Sequence, residues 1–405
     1  MRAGLIMALV LACIASLGAA PPKEVKHFTL KITPDDPEAV DYYVALPDKY
    51  DPAKRYPLLY CVPGSGMNSG DAEKNQAVNY VSSFCEREIS RNFIVYSIWF
   101  TDKNGTYPHW KSPRAEQAAK LALDHMLAAY SVDRGRVFME FFSGGGAFAK
   151  TYPLQTYAKE APVTLAGLLF TSANYHGGRA ATACVNCDTM VFIEVGELEC
   201  PAKGFSVDLH TEARGWELLF KEKVDYSEFH MIPNQAHDIS KEAHVKIQAF
   251  FKQGLEKIDA RQAAAAVKNL PQAEKFLKGR QFGQVFNLIE GALGAQGTDP
   301  VLPRAQAIAR ALDAARLRLV AEYYDSLAAD PVKAFAALFA LESMFKGHAI
   351  ATWATATTLT AYKDPPTTKS VAKGKAGAKD VTARETAAID AALGGGAAAG
   401  KGPQG

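Results

Sequence analysis

Val137-Phe138-Met139-Glu140-Phe141-Phe142-Ser143-Gly144-Gly145-Gly146-Ala147-Phe148-Ala149 is an apolar run that stops at one serine, passes through three glycines and restarts on small residues. Its first half reads as a strand and its second as the start of a helix, so Ser143 falls on the turn between them. A serine hydroxyl is a weak nucleophile. To act as one it must stand clear of the sheet, within reach of a base and of backbone N–H donors. Glycines make so tight a turn sterically possible. In the pattern G-x-S-x-G that marks such turns, Phe141 stands where the first glycine is expected.

Outward from this turn, residues 25 to 256 alternate strand-like and helix-like segments in the rhythm of an α/β sheet. Segments 27–33 and 40–46, separated by Pro34-Asp-Asp-Pro37, read as an opening antiparallel hairpin. Six more strands are expected at 56–62, 92–98, 137–142, 164–170, 190–195 and 226–232, their near-continuous apolar character suiting burial on both faces. Helices are expected between them at 74–88, 114–130, 145–158, 207–223 and 240–256. In the second of these, Ala115, Ala118, Ala119, Leu121, Leu123, Met126, Leu127 and Tyr130 keep a spacing near 3.6.

From about residue 260 strand signals vanish. Ala-, Leu- and Arg-rich helices are expected at 260–278, 281–293, 303–329 and 331–346, broken most clearly between Gly294 and Pro303. Beyond Tyr362 the Lys-, Ala-, Gly- and Pro-rich composition predicts disorder, with at most a short helix near 380–393. The expected organisation is a signal peptide over 1–20, an α/β catalytic domain over 25–258, a helical C-terminal domain over 260–361 and a low-complexity tail over 362–405. The helical domain is expected to act as a lid, a packing partner or a protein-contact module.

The N-terminus carries one basic residue, an apolar stretch from Leu5 to Ala15 and small residues before Pro21-Pro22. This predicts export, to the periplasm or beyond, and the stretch is short for a membrane span. Cys13 is a candidate lipoprotein cysteine, a less favoured reading because Leu11 fits the lipidation box badly. A formal net charge of +2 does not suggest nucleic-acid or membrane-surface binding, which normally goes with concentrated basic patches. Five cysteines follow the signal segment, Cys61, Cys85, Cys184, Cys187 and Cys200, and the odd number leaves at least one thiol free. Cys184-Val-Asn-Cys187 has no second CxxC and no paired histidines beside it, so a local disulfide or two plain thiols is expected there rather than a metal site. The Walker and G-x-G-x-x-G patterns are unmatched at the glycines, which sets phosphate binding aside.

Two later segments supply partners for Ser143 at the same sheet edge. Met190-Val-Phe-Ile-Glu-Val-Gly196 runs into Glu197-Leu-Glu199, and Phe229-His-Met-Ile-Pro-Asn-Gln-Ala-His237 is a strand running into a loop histidine. In the order serine, acid, histidine, the chain resembles the α/β-hydrolase superfamily over residues 25 to 256, and within it secreted esterases related to polyhydroxybutyrate depolymerases and feruloyl esterases. The resemblance implies a mostly parallel eight-stranded sheet flanked by helices, with Ser143 as nucleophile, His237 as base and Glu199 as the acid, Glu197 and Asp208 remaining competitors. It also implies an oxyanion hole from the N–H of Gly144 and that of Ser65 or Gly66, and no cofactor.

Trp110 and Tyr175 are candidate walls of the substrate pocket. The function so implied is hydrolysis of small-molecule or polymeric carboxylic esters through an acyl-enzyme. A catalytically degenerate binding or scaffold protein, and a peptidase on the same fold, are the alternatives.

Overall fold

The computed structural model describes residues 24–31, 39–52, 54–64, 76–99, 113–151, 165–175, 185, 188–362 and 365–398. Eight strands form one sheet: β1 (Val25–Lys31), β2 (Ala39–Ala45), β3 (Tyr56–Val62), β4 (Ile94–Trp99), β5 (Val132–Phe142), β6 (Leu165–Thr171), β7 (Met190–Gly196) and β8 (Tyr226–Ile232). Their order is β1-β2-β4-β3-β5-β6-β7-β8. Strand β2 pairs antiparallel with both neighbours, while β4 through β8 are parallel. Strands β3, β4, β6 and β7 are buried at almost every position, which explains why their sequences carry no alternation of apolar and polar residues. This is the α/β-hydrolase fold, as the resemblance implies.

Helices cover both faces. On one face lie α1 (Gln76–Cys85) and the first half of a long helix, α5 (Lys241–Lys278), packing Phe84, Ile247, Phe250 and Phe251 against Phe93, Phe138 and Phe192. On the other lie α2 (Pro113–Ala129), α3 (Gly145–Thr151) and α4 (Leu209–Phe220), which bury Ala118, Ala122, Phe148, Ala213 and Trp216 against Tyr60, Phe141 and Phe170. Chain order along the sheet reverses at the β3/β5 pair. Neighbouring connections leave in opposite directions there, opening a crevice at the carboxyl ends of the two strands. Ser143 follows β5 at that crevice.

The C-terminal helices α6 (Phe282–Ile289), α7 (Leu302–Ser326), α8 (Pro331–Met344), α9 (Ala349–Tyr362) and α10 (Pro365–Ala398) share a second core, with Phe286, Leu312, Leu319, Phe335, Leu338 and Leu341 buried in it. Two findings differ from the sequence-based expectations. Helix α5 continues unbroken through residues 258–260, where a domain boundary is expected: Ile247 and Phe250 pack on the sheet, Leu270 and Ala273 in the helical core. Residues 365–398, expected to be disordered, form a helix that buries Val371 and Ile389. Its composition is low in apolar side chains because it packs through small ones. A Cβ on Gly374 would come within 2.6 Å of the Phe335 Cβ and 2.9 Å of the Ala336 nitrogen.

Buried charges join the two cores. Arg316 on α7 donates to the carbonyls of Leu127, Ala128 and Tyr130 at the end of α2 and pairs with Asp313 at 2.8 Å. Arg55 donates to the Val132 carbonyl and pairs with Asp313 at 2.7 Å and Glu290 at 3.0 Å. All these groups lie at the start of β5. Ser143 follows its other end, roughly 30 Å away for a strand of 11 residues. The helical region is thus a packing partner at the opposite edge of the sheet, and the expectation of a lid over Ser143 gives way to this placement.

Candidate active site

Ser143 occupies the left-handed backbone region, with φ of +49°. Few non-glycine residues do so, and the conformation turns the chain sharply between β5 and α3. The elbow is fastened from three sides: the Ser143 N–H donates to the Thr171 carbonyl, and the Ser143 carbonyl accepts from the N–H groups of Gly146 at 3.0 Å and Asn174 at 2.9 Å. Gly145 and Gly146 permit the closeness. A Cβ on Gly146 would lie 2.1 Å from the Asn174 carbonyl oxygen, and one on Gly145 would lie 2.8 Å from that of Val62.

Phe141 does not disturb this turn. Its side chain is fully buried and stacks on Phe170, ring centroids 5.5 Å apart.

The loops after β7 and β8 bring the other two groups in. His237 Nε2 lies 2.8 Å from Ser143 Oγ, and His237 Nδ1 lies 2.5 Å from Glu199 Oε1. A carboxylate only accepts, so Nδ1 carries the proton and Nε2 is left to accept from the serine hydroxyl. Glu199 is fully buried, and its second oxygen accepts from the Ser172 hydroxyl at 2.6 Å and the Gly196 N–H at 2.5 Å. The rings of Phe142 and Phe205 stand 4.8 and 5.1 Å from the imidazole. They pack beside the ring and limit its tilt. About a quarter of the His237 side chain remains exposed, so an approaching molecule can reach it. Hydroxyl, imidazole and buried carboxylate in this sequence can pass a proton from the serine to the histidine as the serine attacks.

Of the three candidate acids, Glu199 is the one at hydrogen-bonding distance from His237. Glu197 accepts the backbone N–H of Asn234 at 2.9 Å, and Asp208 caps α4 by accepting from Thr211. Gly144 lies between Ser143 and the first residue of α3, where its N–H can serve as an oxyanion donor. Tyr175 packs its ring edge-on against buried Trp216, centroids 4.9 Å apart. Ser65, Gly66, Trp110, Cys13, Cys184 and Cys187 lie outside the described residues. Cys61, Cys85 and Cys200 are free thiols. Among the described residues no cluster of three metal-ligating side chains occurs, and no helix is long and apolar enough to cross a membrane.

Sequence reasoning missed Ser172, Phe205 and Gln235. It also passed over the buried carboxyls of Glu140 and Glu194, although an acid inside an apolar strand is a visible anomaly.

No family model and no curated protein matches this chain. Solved structures resemble it at low identity. A thermostable esterase is 16% identical with a TM-score of 0.41, over 57% of this chain and 61% of that one, so the match spans less than two thirds of its length. A bacterial heroin esterase is 16% identical with a TM-score of 0.43, over 62% of this chain and 90% of the other. An α/β serine hydrolase without a lid from Xanthomonas campestris is 13% identical with a TM-score of 0.39, over 59% and 97%.

Proposed function

We propose that this protein is an exported serine hydrolase that cleaves carboxylic esters through an acyl-enzyme. The observation that carries the reading is the unbroken hydrogen-bonded chain from Ser143 through His237 to buried Glu199, built on an elbow with positive φ. In this reading Ser143 Oγ attacks the ester carbonyl while His237 Nε2 takes its proton and then delivers it to the departing alcohol. Glu199 holds the imidazole in the required tautomer and stabilises its charged form. The Gly144 N–H faces the developing oxyanion, and such a donor is worth about 2.7–4 kcal/mol in related chemistry. Water then repeats the sequence on the acyl-enzyme. The resemblance drawn from the motifs favours short-chain, polymeric or phenolic esters, and the N-terminal segment favours export.

Phe141 and the glutamate acid are the departures that favour a non-catalytic binding protein. Both are accommodated, the one in the core and the other at hydrogen-bonding distance from His237.

A fluorophosphonate probe tests the proposal. Labelling of the full chain that disappears in Ser143→Ala is expected, and a well-folded wild type that takes no label overturns it. Turnover of p-nitrophenyl esters beside peptide substrates separates an esterase from a peptidase.

A further inference from the structure

Beneath the histidine loop, a carboxyl group is buried inside strand β7 where packing alone would call for an apolar side chain. Glu194 is fully buried, and its Oε2 accepts the side-chain amide of Gln235 at 2.9 Å. The carbonyl oxygen of the same amide accepts the N–H of Ser240 at 3.1 Å, and Ser240 caps α5 by accepting from Ala243. The Gln235 backbone carbonyl in turn accepts the N–H of Leu198, in the loop that carries Glu199. One residue therefore ties together the sheet floor and the head of α5 through its side chain and the acid loop through its backbone. His237 sits between Gln235 and Ser240 and has no comparable backbone tie in the described structure of its own.

We propose that Glu194 is a positioning residue for His237, acting through Gln235 to hold the histidine loop at the distance Ser143 requires. The inference rests on the serine-hydrolase reading above. Burial, with the charges of Glu199, Glu140 and Asp238 nearby, drives the Glu194 carboxyl upward, toward its neutral form. A neutral acid still presents an acceptor oxygen to the amide, and glutamine at the same position would present one too. Losing that acceptor leaves the Gln235 amide buried and unsatisfied, which favours a shifted loop. Displacement of a catalytic group by about 1 Å costs on the order of 100-fold in rate.

The test is the rate of fluorophosphonate acylation of the full chain, alongside kcat and KM on a p-nitrophenyl ester. Glu194→Ala and Gln235→Met are each expected to slow acylation by about 10- to 100-fold with KM little changed. Glu194→Gln is expected to restore the rate to within about threefold of wild type. Because Glu194 acts on the loop through Gln235, the double variant should be no slower than the slower single one. Gln235→Met carries the test if Glu194→Ala does not fold. Wild-type acylation rates in Gln235→Met, losses that multiply in the double variant, or a Glu194→Gln as slow as Glu194→Ala each overturn the positioning role while leaving the triad intact. A wild type that takes no label removes the triad and the positioning role together.

Discussion

Ser172 donates its hydroxyl to Glu199 Oε2 across 2.6 Å while its own backbone is held at φ of +48°. Two residues at the crevice thus occupy the left-handed region, Ser143 and Ser172, at the ends of adjacent strands. Strain of this kind costs on the order of 1–3 kcal/mol each and persists where the surroundings over-determine it. The Ser172 N–H, bonded to the Glu194 carbonyl at 2.9 Å, is part of that surrounding.

Replacing Ser172 with alanine keeps the backbone strain and removes one of the hydrogen bonds on the acid. A bond to a charged group contributes about 1.5–3 kcal/mol, so kcat/KM on a p-nitrophenyl ester should fall by about 10- to 100-fold. Steady-state kinetics check this, and unchanged kinetics would exclude a role for Ser172 in holding Glu199.

The choice among acids gives a sharper contrast. Glu199→Gln should lower kcat by about 100-fold or more, on the scale seen when a triad acid loses its charge. Glu197→Gln and Asp208→Asn should change it by less than about threefold, since neither side chain meets His237.

Phe141→Gly restores the small residue of the motif and should nonetheless harm the protein. The substitution empties a fully buried site stacked on Phe170 and costs about 3–5 kcal/mol in chemical denaturation. A variant as stable as wild type would mean that the core closes over the gap.

Glu140 makes stability depend on pH. Burial pushes its carboxyl up to about 8, partly offset by the Thr171 hydroxyl that donates to it. An unfolded glutamate ionises near about 4.3. The native state therefore binds the extra proton, and this group's contribution is full below about 4.3 and is lost as pH rises through about 8. Glu140→Gln cannot ionise and keeps the acceptor for Thr171. Its Tm advantage over wild type should be smallest near pH 4, grow with rising pH and level off above about 8, as thermal melts across that range will report.

Arg316 offers a control remote from the chemistry. Arg316→Met strips three carbonyls of a donor and removes a buried partner of Asp313, for a loss of about 3–5 kcal/mol. The acylation rate of Ser143 in the folded fraction should stay within about twofold of wild type, because the interface lies at the other end of β5. A matching loss of reactivity would show that the two edges of the sheet are coupled.

Much of this molecule is legible from its residues because burial on both faces writes strands as continuous apolar runs. Strand β3 matches its expected span at 56–62 and β8 its span at 226–232, and the other strands begin or end within a few residues of expectation, except that β5 begins five residues earlier, at Val132. Serine, acid and histidine are legible as an order along the chain. Which carboxylate meets the histidine is not, since Glu197 and Glu199 differ only in how a short loop turns after β7. Ser172 and Gln235 are ordinary polar residues beyond apolar strands, and their importance comes from partners far away in sequence. Helix α10 escapes composition for a different reason: tight packing through alanine and glycine resembles low complexity when read one residue at a time.

Helix α5 has a practical meaning for how this chain can be divided. Its first half is a wall of the α/β core and its second half a wall of the helical core, so no cut near residue 258 releases an intact piece. The two regions share a structural beam. Whatever is built, exchanged or truncated at one end of it must keep the other end folded.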